Sequence, residues 1–369
     1  MMRGDSHKLC VGKSPRDSNI ELLRIVAMFL IVAAHYAVNS TVMWKLFDPI
    51  HPTPNSIFMH LWGMWGKMAI NVFVLITGYF MCMGKLTARR YCKILFELIF
   101  YSWIMWFVLC MCGYDVFSWR GVWKRLSLYF ILTSQNREFI PAFMWMYLTI
   151  PAMNIYLKAT DKRNLYSCIA VMLCLFSFCG TFLNANVYHH VFWYMTLYLM
   201  GAAIRMHPFQ WMENNRFCLL MLLLVVVMSW ASVIGIDLVA MWLGHPIRDP
   251  FFYVRDSHKA LAIATALFMF LVFKNWKLPH SRFINGVAST TFGVLLIHAA
   301  GEGMRKWLWG DFVNVPNAFQ TFSLPMLIAY SLFITISVFA VCSGIDWLRI
   351  KFVEKPLFGL LERLNVFRG

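Results

Sequence analysis

Hydrophobic residues recur along the whole chain in long stretches that are separated by short polar segments. Most of the stretches approach or exceed the roughly 20 residues that a helix needs to cross a bilayer. They lie at 20–38, 57–83, 94–113, 139–157, 165–183, 191–205, 216–236, 259–273, 285–301 and 324–348. The pattern predicts an all-α, polytopic integral membrane protein with about ten transmembrane helices, of which those at 191–205 and 259–273 are short.

The polar segments show no shift of composition, which indicates a single membrane domain over 20–356. A basic N-terminal tail over 1–19 and a C-terminal tail over 357–369 flank it. No small-residue cleavage pattern follows the first stretch, so we interpret it as a span and not as a cleavable signal. Segment 114–138 mixes Trp, Arg and Lys with apolar residues, which suits either a helix lying at the outer interface or a plain loop.

Composition supports the membrane interpretation. Of 369 residues, 60% are hydrophobic and only 14% are charged, whereas soluble domains carry about a quarter charged residues. The net charge of +16 does not indicate a nucleic-acid partner. Lys and Arg are concentrated in the termini and in the even-numbered connections, which ten spans place on one face. We therefore expect both termini to be cytoplasmic. A separate expectation is that the membrane is the plasma membrane of a bacterium. The cysteines form no CxxC pair, and no metal site is expected.

The first stretch carries two ionisable residues where lipid favours leucine. A charged side chain in mid-span costs about 2.5–3.5 kcal/mol, so such residues tend to face a partner or a cavity. Arg24 and His35 are eleven residues apart, which puts them on one helix face about 16 Å apart along the axis. Glu21 lies one turn before Arg24, and Asn39 lies one turn after His35. Arg24 alone is compatible with a snorkelling cation, but the shared face favours a functional pair.

The ninth stretch repeats this arrangement with His298, which is followed one turn later by Glu302. His298 lies about 20 Å from the cytoplasmic end of its stretch, a depth similar to that of His35. We therefore expect the two histidines to share one site, although each alone is compatible with a structural role. In the second stretch, Lys67 and Asn71 add polar groups, and Lys67 is also placed to snorkel outward.

A basic segment follows the second stretch, with four cations within nine residues: Lys85, Arg89, Arg90 and Lys93. Such a cluster can bind phosphates. A cytoplasmic connection also needs cations for topology, so the segment by itself does not identify a ligand.

Together these motifs resemble the acyltransferase-3 family of integral membrane acyltransferases. The first span matches its pattern of an acidic residue, two apolar residues, an arginine and a later histidine, at Glu21, Arg24 and His35. The second span is similar to the family's FFxxSGF segment, with Thr77 replacing the usual Ser. The basic segment resembles the family's own, with Lys93 for Arg and Phe96 where proline is usual. Further matches lie at 145–151, 292–298 and 353–356.

The resemblance implies transfer of an acyl group, often acetyl, from cytoplasmic acyl-CoA to a hydroxyl of a carbohydrate or glycolipid at the outer surface. Acyl-CoA would be a co-substrate, with no tightly bound cofactor. His35 would act as general base or as a covalent acyl relay. Arg24 and His298 are the further catalytic candidates. The candidates for the donor's phosphates are Arg24, Arg89, Arg90 and Lys93. The secondary candidates are Glu21, Asn39, Lys67, Asn71 and Glu302.

A transporter or flippase is the alternative, with Arg24, His35, Lys67 and His298 as a substrate or proton pathway. The chain shows no inverted repeat and no matched pair of Gly/Pro-broken helices, which are typical of such carriers. A sensor or scaffold is a third class, and it predicts that no polar span residue is needed for turnover. Acyl transfer is therefore the leading hypothesis.

Overall fold

The computed structural model of the protein describes residues 17–40, 42, 46–127, 139–183 and 188–367, and every regular element in these ranges is helical. The predicted all-α class is therefore confirmed. The principal helices are α1 (Ser18–Val38), α2 (Pro54–Met81), α3 (Ala88–Met111), α4 (Phe139–Ala159), α5 (Lys162–Phe182), α6 (His190–Met206), α7 (Asn215–Leu243), α8 (Ala260–Asn275), α9 (Arg282–His298), α10 (Glu302–Thr321) and α11 (Leu324–Arg363). All but α10 coincide with the apolar stretches of the sequence.

The helices make this a multi-pass membrane protein. Among the described residues, seven single helices are long and apolar enough to cross a bilayer, and the bent pair α9–α10 forms an eighth candidate. Helix α6 has 17 residues and α8 has 16, which is fewer than the roughly 20 that a perpendicular span needs. Ten spans and cytoplasmic termini remain predictions.

Polar residues between the apolar stretches fix where several helices begin. Thr53 accepts a hydrogen bond from the Ser56 backbone N–H at the start of α2. Asp161 does the same for Asn164 at α5, and Asn214 caps the start of α7. Each cap satisfies an amide that has no partner within its own helix.

Small residues allow α2 and α6 to pack closely. A methyl group on Gly78 would collide with the Tyr198 carbonyl, and one on Gly201 would collide with the Leu75 carbonyl. Close backbone approach through small residues is the usual way in which membrane helices gain van der Waals contact.

Helix α1 lies at the centre of the fold, in contact with α2, α8, α9 and α11. Its buried apolar residues follow the helical repeat, as Leu23, Ala27 and Ile31 show. Packing on several sides fixes the rotation of α1 and hence the direction in which His35 points.

The ninth apolar stretch is broken, which its hydrophobicity did not predict. Helix α9 ends at His298, and α10 continues at an angle of 94°. Gly301 lies in the break with a φ of 147°, a conformation that residues with a side chain rarely adopt. Irregular backbone at membrane depth is tolerated where it is enclosed by protein or lines a cavity.

The ends of the chain differ from the simple boundaries expected. Helix α11 passes through a π-helical turn at Ile350–Glu354 and continues to Arg363, beyond the expected domain end at 356. The expected tail over 1–19 lies largely outside the described residues. In segment 114–138 a short helix forms at Trp119–Leu126 with none of its residues buried, while 128–138 lies outside the described residues.

Candidate active site

Two histidines from distant parts of the chain meet at the centre of the fold. His35 Nδ1 lies 2.9 Å from His298 Nε2, and the two ring centroids are 5.0 Å apart. His298 is fully buried, and Trp309 meets its ring edge-on. The predicted proximity of the two histidines is confirmed.

Hydrogen bonding fixes how these rings share their protons. His298 Nδ1 lies 2.6 Å from the Val294 carbonyl oxygen, which can only accept, so Nδ1 carries the proton. A neutral His298 therefore has its lone pair on Nε2 and accepts from His35 Nδ1–H. A neutral His35 then has a lone pair on Nε2, which has no hydrogen-bond partner among the described residues. His35 is thus arranged as a proton acceptor.

A cavity of about 1040 Å³ lies beside His35. Its walls include sides of α1, α2, α7 and α9, together with segment 246–256 between α7 and α8. In the predicted topology, with cytoplasmic termini, that segment would lie on the outer side of the membrane.

Asn39, Lys67 and Arg305 are among the polar residues that line the cavity together with His35. Asn39 Nδ2 and Arg305 Nε are buried donors with no hydrogen-bond partner in the described part of the chain. Another Arg305 nitrogen donates to Glu302 at 2.8 Å, and Glu302 itself is exposed. Of the sequence candidates, Asn39 and Lys67 thus line the cavity. Glu302 does not line it but binds Arg305, which does.

Asn71 is used elsewhere. Its amide donates to the Ser257 carbonyl at 2.6 Å, and its oxygen accepts from Trp193 Nε1 at 3.2 Å. These bonds tie α2 to α6 and to the connection between α7 and α8, part of which lines the cavity. The geometry therefore gives Asn71 a structural contact.

The same connection carries His258, whose ring stacks on Tyr188. Burial lowers the pKa of His258 to about 4, so this side chain is neutral at physiological pH.

Arg24 lies apart from the cavity. Its Nε is 3.9 Å from Glu21 Oε2, as expected for an i,i+3 pair. About a third of the Arg24 side chain is exposed. The structure thus separates Arg24 from His35 along α1, as the eleven-residue spacing predicts.

The basic segment is partly neutralised by the last helix. Arg89 Nε lies 2.7 Å from Glu362 Oε1, and Lys93 Nζ lies 2.7 Å from Glu354 Oε1. Arg90 instead donates to the Lys85 carbonyl at 3.0 Å. Both α11 carboxylates would have to share or release their cations if a phosphate bound here.

A buried charge cluster, centred on Arg349, is absent from the sequence-based candidates. Arg349 contacts Asp346 at 2.6 Å, Glu354 at 2.7 Å and Glu97 at 3.1 Å. Tyr101 donates to Asp346 at 2.8 Å. The cluster joins α3 to α11 and, through Glu354, reaches Lys93.

A buried, hydrogen-bonded His–Asp pair, also missed, lies in the cavity wall. His60 Nδ1 is 2.7 Å from Asp237 Oδ2. A usable signal was present in the sequence, because Glu97 and Asp346 interrupt apolar stretches and Asp237 directly follows one. An acidic residue at membrane depth requires a partner.

Comparison with known proteins places the chain in a family. A family model described as an acyltransferase domain matches residues 17–347, nearly the whole chain. No curated protein and no solved structure matches the chain.

Proposed function

Since the chain belongs to this family of acyltransferases, we propose that it is a membrane O-acyltransferase that moves an acyl group from cytoplasmic acyl-CoA to a hydroxyl of a cell-surface glycan. Acetyl is the simplest acyl group of this class. The observation that carries the proposal is the proton arrangement of the histidine pair, which leaves a lone pair on His35 Nε2 beside the cavity.

In the proposed reaction, the acceptor hydroxyl gives its proton to His35 Nε2 as its oxygen bonds to the thioester carbonyl carbon. The C–S bond then breaks, and the departing CoA thiolate takes the proton back from His35. No net proton is consumed. Histidine suits this role because its pKa allows it both to take and to return a proton near neutral pH.

His298 would act as a positioning residue. Its Nε2 accepts from His35 Nδ1–H, and this bond favours the positive charge that His35 gains. The Val294 carbonyl holds the His298 ring in turn. Outer partners of this kind fix both the tautomer and the direction of the reacting imidazole.

Two buried donors suit the charge that develops on the acyl oxygen. Asn39 Nδ2 and Arg305 Nε line the same cavity as His35 and have no other hydrogen-bond partner among the described residues. Donors that are already desolvated and in place stabilise an oxyanion most effectively. Arg24, Arg89, Arg90 and Lys93 would serve the phosphates of acyl-CoA on the opposite face.

Mass analysis of surface glycans tests the proposal in cells. Cells that carry the wild-type protein should show acyl groups that are missing from cells without it and from cells with His35→Ala. Protein abundance in the membrane, measured by immunoblot, is the control for expression. Identical glycan masses in all three cell lines would contradict the proposal.

A further inference from the structure

The His60–Asp237 pair is a second polar centre in the cavity that holds His35. Both residues line that cavity, and their side chains are 1% and 2% exposed. Asp237 belongs to α7, one of the most apolar helices of the chain. Apolar side chains would join α2 to α7 at lower cost, because burying polar groups has a desolvation penalty.

The surroundings of His60 leave one edge of the ring for another partner. Phe47 and Phe251 pack against the ring with centroids at 4.3 and 5.2 Å. Asp237 accepts from Nδ1–H at 2.7 Å, so a neutral ring has its lone pair on Nε2. No described residue forms a hydrogen bond with that nitrogen.

The packing of α2 against α1 fixes where His60 lies relative to His35. A methyl group on Gly66 would be 2.9 Å from Ala34 Cβ, and one on Gly63 would be 3.0 Å from Ala37 Cβ. The two helices therefore run antiparallel, and His35 lies near the level of Gly66. His60 is six residues before Gly66, so it lies about 9 Å further toward the outer end of the cavity.

We propose that the His60–Asp237 pair binds the acceptor, with His60 Nε2 accepting a hydrogen bond from a second acceptor hydroxyl while His35 takes the proton of the reacting one. This inference rests on the proposed acyl transfer. Because each hydroxyl lies about 2.8 Å from its imidazole nitrogen, the two hydroxyls can belong to one sugar unit or to neighbouring units. The acceptor class is therefore a polyhydroxylated glycan, which offers a second hydroxyl beside the reacting one.

The first test uses His60→Asn, whose amide can still donate to Asp237 but which lacks Nε2. The matched control is His51→Asn, because His51 also pairs with an aspartate, Asp48 at 3.0 Å, but is exposed and outside the cavity lining. The substrates are radiolabelled acetyl-CoA and fragments of the unacylated surface glycan, graded from one to several sugars. The purified full chain in detergent provides initial rates.

His60→Asn should raise the KM for the glycan fragments about three- to tenfold, the contribution of one neutral hydrogen bond. The KM for acetyl-CoA should not change. His51→Asn should have the wild-type KM for the glycan fragments and for acetyl-CoA. If His60 had only a structural role, its replacement would not change the KM for the acceptor while leaving the KM for acetyl-CoA unchanged. If His60→Asn kept the wild-type KM for the glycan fragments, the inference would be wrong.

The second test needs neither turnover nor a folded variant. Diethyl pyrocarbonate modifies unprotonated imidazole nitrogens, and peptide mass analysis locates the modified histidines. In the wild-type protein, His60 should react, and the longer glycan fragments should protect it. His51 should react equally with and without them. An unreactive or unprotected His60 overturns the inference, whereas protection without any acyl transfer would count against the proposed reaction instead.

Discussion

A single carbonyl group orients the proton chain of the histidine pair. Val294 lies one helix turn before His298, and its carbonyl oxygen accepts the proton of His298 Nδ1. The lone pair of a neutral His298 is therefore on Nε2, which faces His35. Because the histidines come from α1 and α9, a small shift of either helix would separate them. The residue scale is therefore where the proposed chemistry is most sensitive.

Replacing His298 by Gln should slow acyl transfer about 10- to 100-fold, the usual cost of losing an outer partner of a functional histidine. Replacing His35 by Ala should slow acyl transfer more, about 10²- to 10⁴-fold, because the general base itself is lost. Initial rates with radiolabelled acyl-CoA measure both. His280→Gln, an exposed histidine, is the control. If His280→Gln slowed transfer as much as His298→Gln, or if His298→Gln had no effect, the positioning role of His298 would be refuted.

Gly293→Ala should destabilise the protein by about 1–3 kcal/mol, as overpacking usually does. The added methyl group would collide with the Asp346 carboxylate, which Arg349 and Tyr101 hold in place. Thermal unfolding in detergent measures the loss, and the transfer rate should fall with it because α9 carries His298.

Gly286→Ala is the matched control for this variant, because Gly286 lies in the same helix and a methyl group there meets nothing within 4 Å. It should leave stability unchanged or raise it by up to about 1 kcal/mol, since alanine favours the helix. Equal melting temperatures for Gly293→Ala and wild type would contradict the close approach of α9 and α11.

The sequence predicted the residues of the histidine pair but not their full setting. His35 and His298 were identifiable because each is polar, deep in an apolar stretch and at matched depth. The position of Asp237 after an apolar stretch was a signal, but its pairing with His60 was not predictable, because it depends on how α2 packs against α7. The unused donors of Asn39 and Arg305 are likewise a property of the folded backbone.

At the scale of elements, the break between α9 and α10 contributes most to the site. It ends α9 at His298 and turns the chain so that Arg305 reaches the cavity. Hydrophobicity alone predicted a stretch over 285–301, since Ala299 and Ala300 are as apolar as a span requires. Only the φ of Gly301 marks the position as one that a regular helix avoids.

The contact between the basic segment and α11 yields a prediction about the donor. If Arg89 binds a phosphate of acyl-CoA, Arg89→Gln should raise the KM for acyl-CoA, and Glu362→Gln should lower it by removing a competitor. The second effect should be no more than about fivefold, because the pair is exposed and contributes at most about 1 kcal/mol.

Initial rates over a range of acyl-CoA concentrations measure both effects. Arg282→Gln, an exposed cation on the same predicted face, should leave the KM unchanged. Equal changes of KM in Arg282→Gln and Arg89→Gln would indicate a general effect of charge, and an unchanged KM in Arg89→Gln would remove this residue from the donor site.

At the scale of the whole molecule, the pattern of apolar stretches predicted the helices well. It could not settle how many of them cross the membrane, because α6 and α8 are short and α9 is bent. Length and composition describe one helix at a time, whereas tilt and re-entry depend on the neighbouring helices. The predicted ten-span topology therefore calls for a direct measurement.

Native cysteines supply that measurement, because Cys92 and Cys112 are both exposed and lie near opposite ends of α3. In single-cysteine versions of the protein in intact cells, a membrane-impermeant maleimide should label Cys112 and leave Cys92 unlabelled until the cells are opened. Cys174, which is exposed on the apolar helix α5, should stay unlabelled because lipid surrounds it. Labelling of Cys92 in intact cells would contradict cytoplasmic termini.

The most direct test of the central claim is acyl transfer by the purified protein in detergent, where no sealed membrane exists and a carrier has nothing to transport across. The assay combines radiolabelled acyl-CoA with surface glycan from cells that lack the protein. Wild type should move the label to the glycan, and His35→Ala should do so at least about 10²-fold more slowly. Absence of transfer by wild type, or full transfer by His35→Ala, would contradict the account.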